Sequence, residues 1–407
     1  MSGADAACRT TLSWRGGNDP ATYARDAGNI VVNPEHLYIH VPFCLRRCGY
    51  CDFAVTATRV APVDAWLESI AGELALRQRA GGWSGLDLKT IYVGGGTPSL
   101  LGLGAMSRLR ETLRRFATWS DADVEWTSEA NPESFTGALA EDWVKAGINR
   151  ISLGAQTFSR EALEWMGRMH GPDGPGTAAH AAREAGLHNV SLDLIFALPS
   201  RLERDWAGDL DRVVALDPAH ISLYGLTAEP ATPLGRWVAS GREALADEDR
   251  YAEEYLLATD RLGAAGFEHY EVSNFARPGR ESRHNQAYWR HRPYIGLGPG
   301  AHSFEPPVRS WNVRDWAEYR RRLEQRESPE DGREELAAED VSLERIWLGL
   351  RAADGLELST LTASQRARAE AWTRSGLAVR SAEVVRLTRQ GWLLLDRLAV
   401  ELEGARG

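Results

Sequence analysis

The sequence predicts an α/β fold, a partial (β/α)6 TIM-like barrel followed by a C-terminal, mostly helical, winged-helix-like domain. Three observations carry that expectation. Short apolar or β-branched runs alternate six times with longer stretches of helical spacing, and parallel strands need such helical crossovers. Residues of chemical rather than packing value end nearly every run, at Cys44, Gly94–Thr97, Glu129, Gln156, Asp193 and Thr227. A doubly wound sheet also has such units, but barrels carry their chemistry on that rim. The chain has 407 residues, room for a barrel of about 250 residues and a further domain.

Residues 1–35 show Gly, Asn and Pro punctuation without a period and read as an N-terminal lead-in of the kind left disordered. The first expected strand is His36–Phe43, followed by a helix in which Val63, Trp66, Leu67, Ile70 and Leu74 recur at helical spacing. Strands at Thr90–Gly94, Val124–Glu129, Arg150–Gln156, Val190–Leu198 and His220–Leu226 complete the set. Helices at Met106–Phe116, Leu139–Ala146, Ala178–Ala185, Trp206–Leu216 and Asp247–Ala265 lie between or after them. The core barrel is thus expected over 36–270. Residues 271–310 break the period with Gly, Pro and aromatic clusters and read as a linker region, and 311–407 as the C-terminal helical domain. In that domain Val385–Leu387 and Trp392–Leu395 suggest a small β-hairpin.

Composition narrows the function classes. With 47 basic and 57 acidic residues the net charge is −10, which speaks against a broad nucleic-acid surface. No apolar run reaches the ~18 residues of a membrane span, leaving at most peripheral contact with a membrane. The first twenty residues lack an apolar signal core, so a cytoplasmic location is expected. Three of the four cysteines fall between Cys44 and Cys51. That is metal or redox chemistry rather than a disulfide framework.

The cysteines are spaced CxxxCxxC: Cys44, Cys48 and Cys51, directly after the first strand. Thiolates are soft ligands for iron–sulfur clusters or zinc. A structural zinc site normally has four ligands, and here only His36 or His40 offers a fourth nearby; Cys8 is far upstream and reads as a bystander. Three thiolates can instead hold three corners of a 4Fe–4S cubane and leave one iron open. Chance clustering of buried cysteines is the bland alternative.

CxxxCxxC with Tyr50 before the last cysteine, preceded by Tyr38-Ile39-His40-Val41-Pro42-Phe43, resembles the radical S-adenosylmethionine superfamily, and within it the anaerobic coproporphyrinogen dehydrogenase-like group. The resemblance runs from about residue 36 to the C-terminus. It implies a 4Fe–4S cluster on Cys44, Cys48 and Cys51 whose open iron binds S-adenosylmethionine. It also implies reductive cleavage of that cofactor to methionine and a 5′-deoxyadenosyl radical. Carried onto matching positions, it assigns Gly95, Gly96 and Thr97 to the cofactor's amino group, Glu129 to its ammonium or ribose, and Gln156 and Asp193 to the ribose hydroxyls. Arg168 would meet its carboxylate, Tyr38 and Tyr50 its methionine and adenine, and Thr227 the adenine. From residue types alone the glycines read as a tight turn and Arg168 as a solvated helix residue.

Two features separate members of the group. The dehydrogenases extend the cluster motif by a fourth cysteine, and here that position is Phe53. Residues 284–289, His284-Asn285-Gln286-Ala287-Tyr288-Trp289, resemble the HNxxYW motif of HemW-like heme chaperones. That resemblance implies heme as cargo, hemoprotein acceptors as partners, an unidentified electron donor, and heme contacts by His284, Asn285, Tyr288 and Trp289. Arginines at 280, 283, 290 and 292 flank the motif, and His291 and His302 are other candidate iron ligands. Read without the resemblance, His284 and Asn285 would only organise a loop while the aromatics fill core. The alternatives are a radical methyltransferase or porphyrin-modifying enzyme on the same scaffold and, after these, coproporphyrinogen dehydrogenation.

Overall fold

The computed structural model describes residues 34–80 and 85–405. The expected lead-in and Cys8 lie outside them, apart from the last two residues of the lead-in. Six strands, β1 (His36–Val41), β2 (Thr90–Gly95), β3 (Glu125–Ala130), β4 (Arg150–Gln156), β5 (Asn189–Phe196) and β6 (His220–Gly225), lie side by side in chain order. All neighbouring pairs among them are parallel. Unbroken order 1 to 6 is the winding of a barrel; a doubly wound sheet reverses direction at a switch point. Helices α1 (Val63–Arg79), α2 (Ala105–Leu113), α3 (Gly137–Ala146), α4 (Arg160–Met166), α5 (Gly174–Glu184), α6 (Trp206–Ala215), α7 (Pro233–Ala239) and α8 (Glu248–Ala264) follow. Strand and helix limits read from periodicity fall close to these. Helices α4 and α7 went unmarked because seven residues carry too little periodicity, though Ser159 caps α4 and left-handed Gly167 ends it.

The barrel is open. Beside β6 run antiparallel β7 (Glu268–Glu271) and β8 (Asn274–Ala276), and beside β1 run β9 (Tyr294–Leu297), β10 (His302–Glu305), β11 (Val308–Asn312) and β12 (Glu330–Glu335). Together they form one 12-stranded sheet whose two ends do not pair among the described residues. The last strand, EDGREE, shows no apolar alternation because it is a charged edge, a pattern that discourages further strand addition.

Strands β1 and β2 are buried along nearly their whole length, as expected where helices cover one face and packed side chains fill the other. Trp66, Trp126 and Trp143 are fully enclosed in the main core. Beyond the sheet lie α9 (Arg283–Trp289), α10 (Trp316–Glu324), α11 (Ala338–Arg351), α12 (Ala363–Arg374), α13 (Arg389–Trp392) and α14 (Leu395–Gly404). A small sheet of β13 (Leu356–Glu357), β14 (Ala378–Arg380) and β15 (Val384–Leu387) completes the C-terminal part. The expected hairpin exists with a different partner: β15 pairs with the upstream β14. Residues 389–392 are helical because Thr388 caps that turn by accepting the Gly391 N–H. A side chain at Gly391 would collide with the Leu377 carbonyl.

Candidate functional site

Chain leaving β1 turns into the cysteine loop, which is tied down at several points. The His40 imidazole Nε2 bonds the Ala54 carbonyl at 2.8 Å, Leu234 N–H donates to the Gly49 carbonyl at 2.9 Å, and Arg46 donates to the Arg168 carbonyl at 2.9 Å. Gly49 rests on the Trp237 ring, and Arg314 holds the Asp52 carboxylate at 3.6 Å. So fixed, Cys44, Cys48, Tyr50 and Cys51 line a cleft on the C-terminal rim. Gly95, Gly96, Thr97, Glu129, Gln156, Arg168 and Asp193 line the same cleft. Residues from five strand ends thus converge with three thiols.

Burial pushes the Cys44 thiol up to about 12, the neighbouring cysteines adding to it against a hydrogen bond from Thr97 and the charge of Arg168. Cys51 is also raised, chiefly by burial. Thiols held protonated this way become ligands when a cation takes their protons' place. Three soft donors on one loop, with no fourth beside them among the described residues, suit a cubane corner set better than closed tetrahedral zinc.

The glycines have a local explanation. Gly95 has φ +102°, and a side chain there would collide with the His40 ring; one at Gly96 would sit 2.6 Å from the Val41 and Phe43 carbonyl oxygens. Their smallness lets β1 and β2 end side by side. The exposed consequence is a fixed carboxylate: Glu129 accepts the Gly95 N–H at 3.0 Å and the Tyr92 hydroxyl at 2.7 Å. Opposite, Asp193 accepts the Ser152 hydroxyl at 3.0 Å, and burial raises its carboxyl above the usual range. Gln156 ends β4 with φ +66° after a register shift, a left-handed backbone that a non-glycine residue holds only when its surroundings impose it.

Arg168 donates to the Asn131 side-chain oxygen at 2.6 Å and the Gly154 carbonyl at 2.8 Å. Asn131, Gly154, Ser152 and Tyr224 also line the cleft and were not singled out from sequence. Only Asn131 carried a signal, the Asn-Pro turn after Glu129. Two expected residues lie elsewhere. Tyr38 is buried inside the barrel, stacked on Tyr92 at 6.1 Å with its hydroxyl on His40. Thr227 is exposed past β6, its hydroxyl donating to the Gly225 carbonyl.

The HNxxYW residues form α9 at the opposite, N-terminal end of the strands. Glu125, opening β3, accepts the N–H groups of Arg283 at 2.9 Å and His284 at 3.0 Å. Ser282 caps the helix by accepting the Asn285 N–H. His284 is fully buried, Nδ1 on the Thr90 hydroxyl at 2.7 Å and Nε2 on the Tyr288 hydroxyl at 2.8 Å. Its ring stacks on Tyr92 at 5.1 Å, so one continuous contact path joins α9 to Glu129 in the cleft. Burial holds the His284 ring far below its usual pKa. Thr90 also meets His36 Nδ1 at 2.9 Å; a single hydroxyl hydrogen serves one imidazole while the other donates to the oxygen. Asn285, Tyr288 and Trp289 are buried beside it.

Residues 38–213 match the radical SAM superfamily. The chain is similar to the heme chaperone HemW of Mycobacterium tuberculosis, 40% identical over 91% of this chain and 95% of that one. It is 34% identical to the HemW of Bacillus subtilis over 88% of this chain and 96% of that one. In overall fold it resembles coproporphyrinogen III oxidase (HemN) of Escherichia coli, a radical SAM enzyme, with a TM-score of 0.77 at 21% identity, covering 92% and 91% of the two chains. No helix of the described residues is long and apolar enough to cross a membrane. With a thiol-lined cleft on the rim of an open six-stranded barrel and chain-long identity of this order, the protein belongs to the radical SAM superfamily and, within it, to the HemW family.

Proposed function

We propose that this protein is a heme chaperone that holds a 4Fe–4S cluster and S-adenosylmethionine in the rim cleft and hands heme to acceptor hemoproteins. The observation that carries the cofactor half is the convergence of Cys44, Cys48 and Cys51 with Glu129, Gln156, Arg168 and Asp193 on one cleft. The cargo half rests on similarity to proteins named heme chaperones over nine-tenths of the chain.

The three thiols are the cluster ligands in this reading, and Phe53, also on the cleft wall, stands where a fourth would be. Bound together, cluster and cofactor supply reductive cleavage of a sulfonium bond, fed by an external one-electron donor. The chain's own groups orient the cofactor. Arg168, braced by Asn131 and Gly154, presents its fork to a carboxylate. Glu129, pre-set by two donors, accepts from an ammonium. Asp193 and Gln156 accept ribose hydroxyls, and Tyr50 packs against the cofactor's body. Thiols that must stay reduced suit the cytoplasm.

Anaerobic reconstitution followed by iron analysis tests the cofactor half. The expected result is about four irons per chain, with Cys44→Ala losing the cluster. An intact cluster in that variant would mean the ligands are misassigned.

A further inference from the structure

Two left-handed residues stand at neighbouring strand ends on the rim, Gln156 closing β4 at φ +66° and Ala197 just past β5 at φ +55°. Neither is a glycine, so each conformation is imposed by its surroundings. At Gln156 the consequence reaches the cleft. Its amide lies back over Gly154, where a side chain would come 2.8 Å from Gln156 Nε2 and 3.2 Å from the Arg168 guanidinium. The bend therefore sets the amide on the same side of the strand as Arg168.

What imposes the bend lies outside the cleft. Asp209, buried on α6, accepts the Thr157 hydroxyl at 2.5 Å through one oxygen and the Phe158 N–H at 2.9 Å through the other. Those are the two residues after Gln156, so a single carboxylate fixes the chain just past the left-handed position. Arg204, its side chain fully buried, stands 3.7 Å from Asp209. It donates to the Ile195 carbonyl at 2.7 Å and to Glu254, on α8, at 2.6 Å. Glu254 in turn accepts the Ala197 N–H at 2.7 Å. Buried charges are costly unless they are paired. Here acid, base and acid stand in one row, and each also holds the backbone of a strand end. Apolar side chains could fill the same space, but they could not hold the N–H and C=O groups of the two turns.

We propose that Asp209 is a positioning residue for S-adenosylmethionine: by holding Thr157 and Phe158 it keeps Gln156 in the left-handed turn that aims its amide at the cofactor's ribose. Arg204 and Glu254 fix the end of β5, the strand that brings Asp193 and Ile195 to the cleft. The proposal rests on the cofactor reading of the cleft. Asp209, Arg204 and Glu254 stand outside the cleft lining, so their effect on binding passes through the two turns.

The test is anaerobic calorimetric titration of the full-length, cluster-loaded protein with S-adenosylmethionine, for wild type, Asp209→Asn, Gln156→Gly and the double variant. Asp209→Asn keeps the size of the side chain and removes its charge and one acceptor. It is expected to weaken binding about tenfold, with iron content as in wild type. Gln156→Gly loses the amide and adopts the left-handed turn without strain, so it should weaken binding to a similar degree. The double variant should bind no more weakly than Gln156→Gly alone, because Asp209 acts through Gln156. Losses that multiply in the double variant overturn the proposal. So does wild-type affinity in folded, cluster-loaded Asp209→Asn, since a residue serving the fold alone would lower only the melting temperature. If cluster-loaded wild type takes no S-adenosylmethionine, the cofactor reading itself fails. Should Asp209→Asn not fold, Thr157→Val, which removes only the hydroxyl donor, decides: severalfold weaker binding supports the proposal and unchanged affinity overturns it.

Discussion

Replacing His284 by Ala distinguishes a brace from a ligand. The ring is fully buried and holds two internal hydrogen bonds, to Thr90 at 2.7 Å and to Tyr288 at 2.8 Å. Thr90 keeps His36 as a partner, so its loss is near the ~1 kcal/mol of an ordinary hydrogen bond. The Tyr288 hydroxyl loses this partner inside the protein, at about 1–2 kcal/mol. Vacating the ring against Tyr92 adds about 2 kcal/mol, the lower end for truncating a large buried side chain. The total is about 4 kcal/mol, or a Tm lower by roughly 5 °C for a chain of this length. Thermal melting of the metal-free, heme-free protein by circular dichroism measures it. A variant that melts within a degree of wild type yet no longer takes up hemin would refute the argument, because the ring would then serve the ligand and not the fold.

Other consequences are separable. Arg168→Lys keeps the charge and loses the fork braced by Asn131 and Gly154, so S-adenosylmethionine affinity measured by calorimetry on the cluster-loaded protein should fall about tenfold, roughly 1.4 kcal/mol. Tyr92→Phe removes one of the two donors that set Glu129 and should weaken the same affinity severalfold; no change would show that the hydroxyl does not position the carboxylate. His36 is held at about 4, by burial first and then by the charges of Arg283 and Arg292. Above pH 6.5 the ring is neutral in both folded and unfolded chains, so it brings no penalty. As the pH falls from 6.5 towards 4 only the unfolded chain takes the proton, and this residue's share of stability drops by about 1.4 kcal/mol per unit, near 3 kcal/mol in all. Urea unfolding at pH 7 and 5 should show that slope reduced in His36→Gln. Gly391→Ala drives a methyl into the Leu377 carbonyl and should destabilise by about 2 kcal/mol, visible in the same unfolding curves.

The barrel was legible because parallel strands buried on both faces read as apolar runs and their crossover helices carry a clear period, as in Thr90–Gly95 and Val63–Arg79. The three thiols were legible because they sit in one loop. Three kinds of feature were hidden. Charged edge strands such as Glu330–Glu335 have no alternation to detect. The partners of Val384–Leu387 are Ala378–Arg380 and Leu356–Glu357, the second of which is far away in sequence. The small pocket beside His291 is lined from α9, β9, β10, β11 and α11, whose residues share no local motif. His291 itself stands two positions past the HNxxYW hexapeptide, and only the backbone geometry shows that it occupies a position glycine prefers. The hexapeptide's own histidine faces inward with both ring nitrogens engaged.

A scaffold that carries heme must both hold it and release it. Anaerobically reconstituted wild-type protein, titrated with hemin and then mixed with a heme-free acceptor hemoprotein, tests both most directly. The predicted result is about one heme per chain, seen as a Soret band that moves to the acceptor's position on mixing. Failure to hold any heme, together with conversion of coproporphyrinogen III by the same preparation, would contradict it.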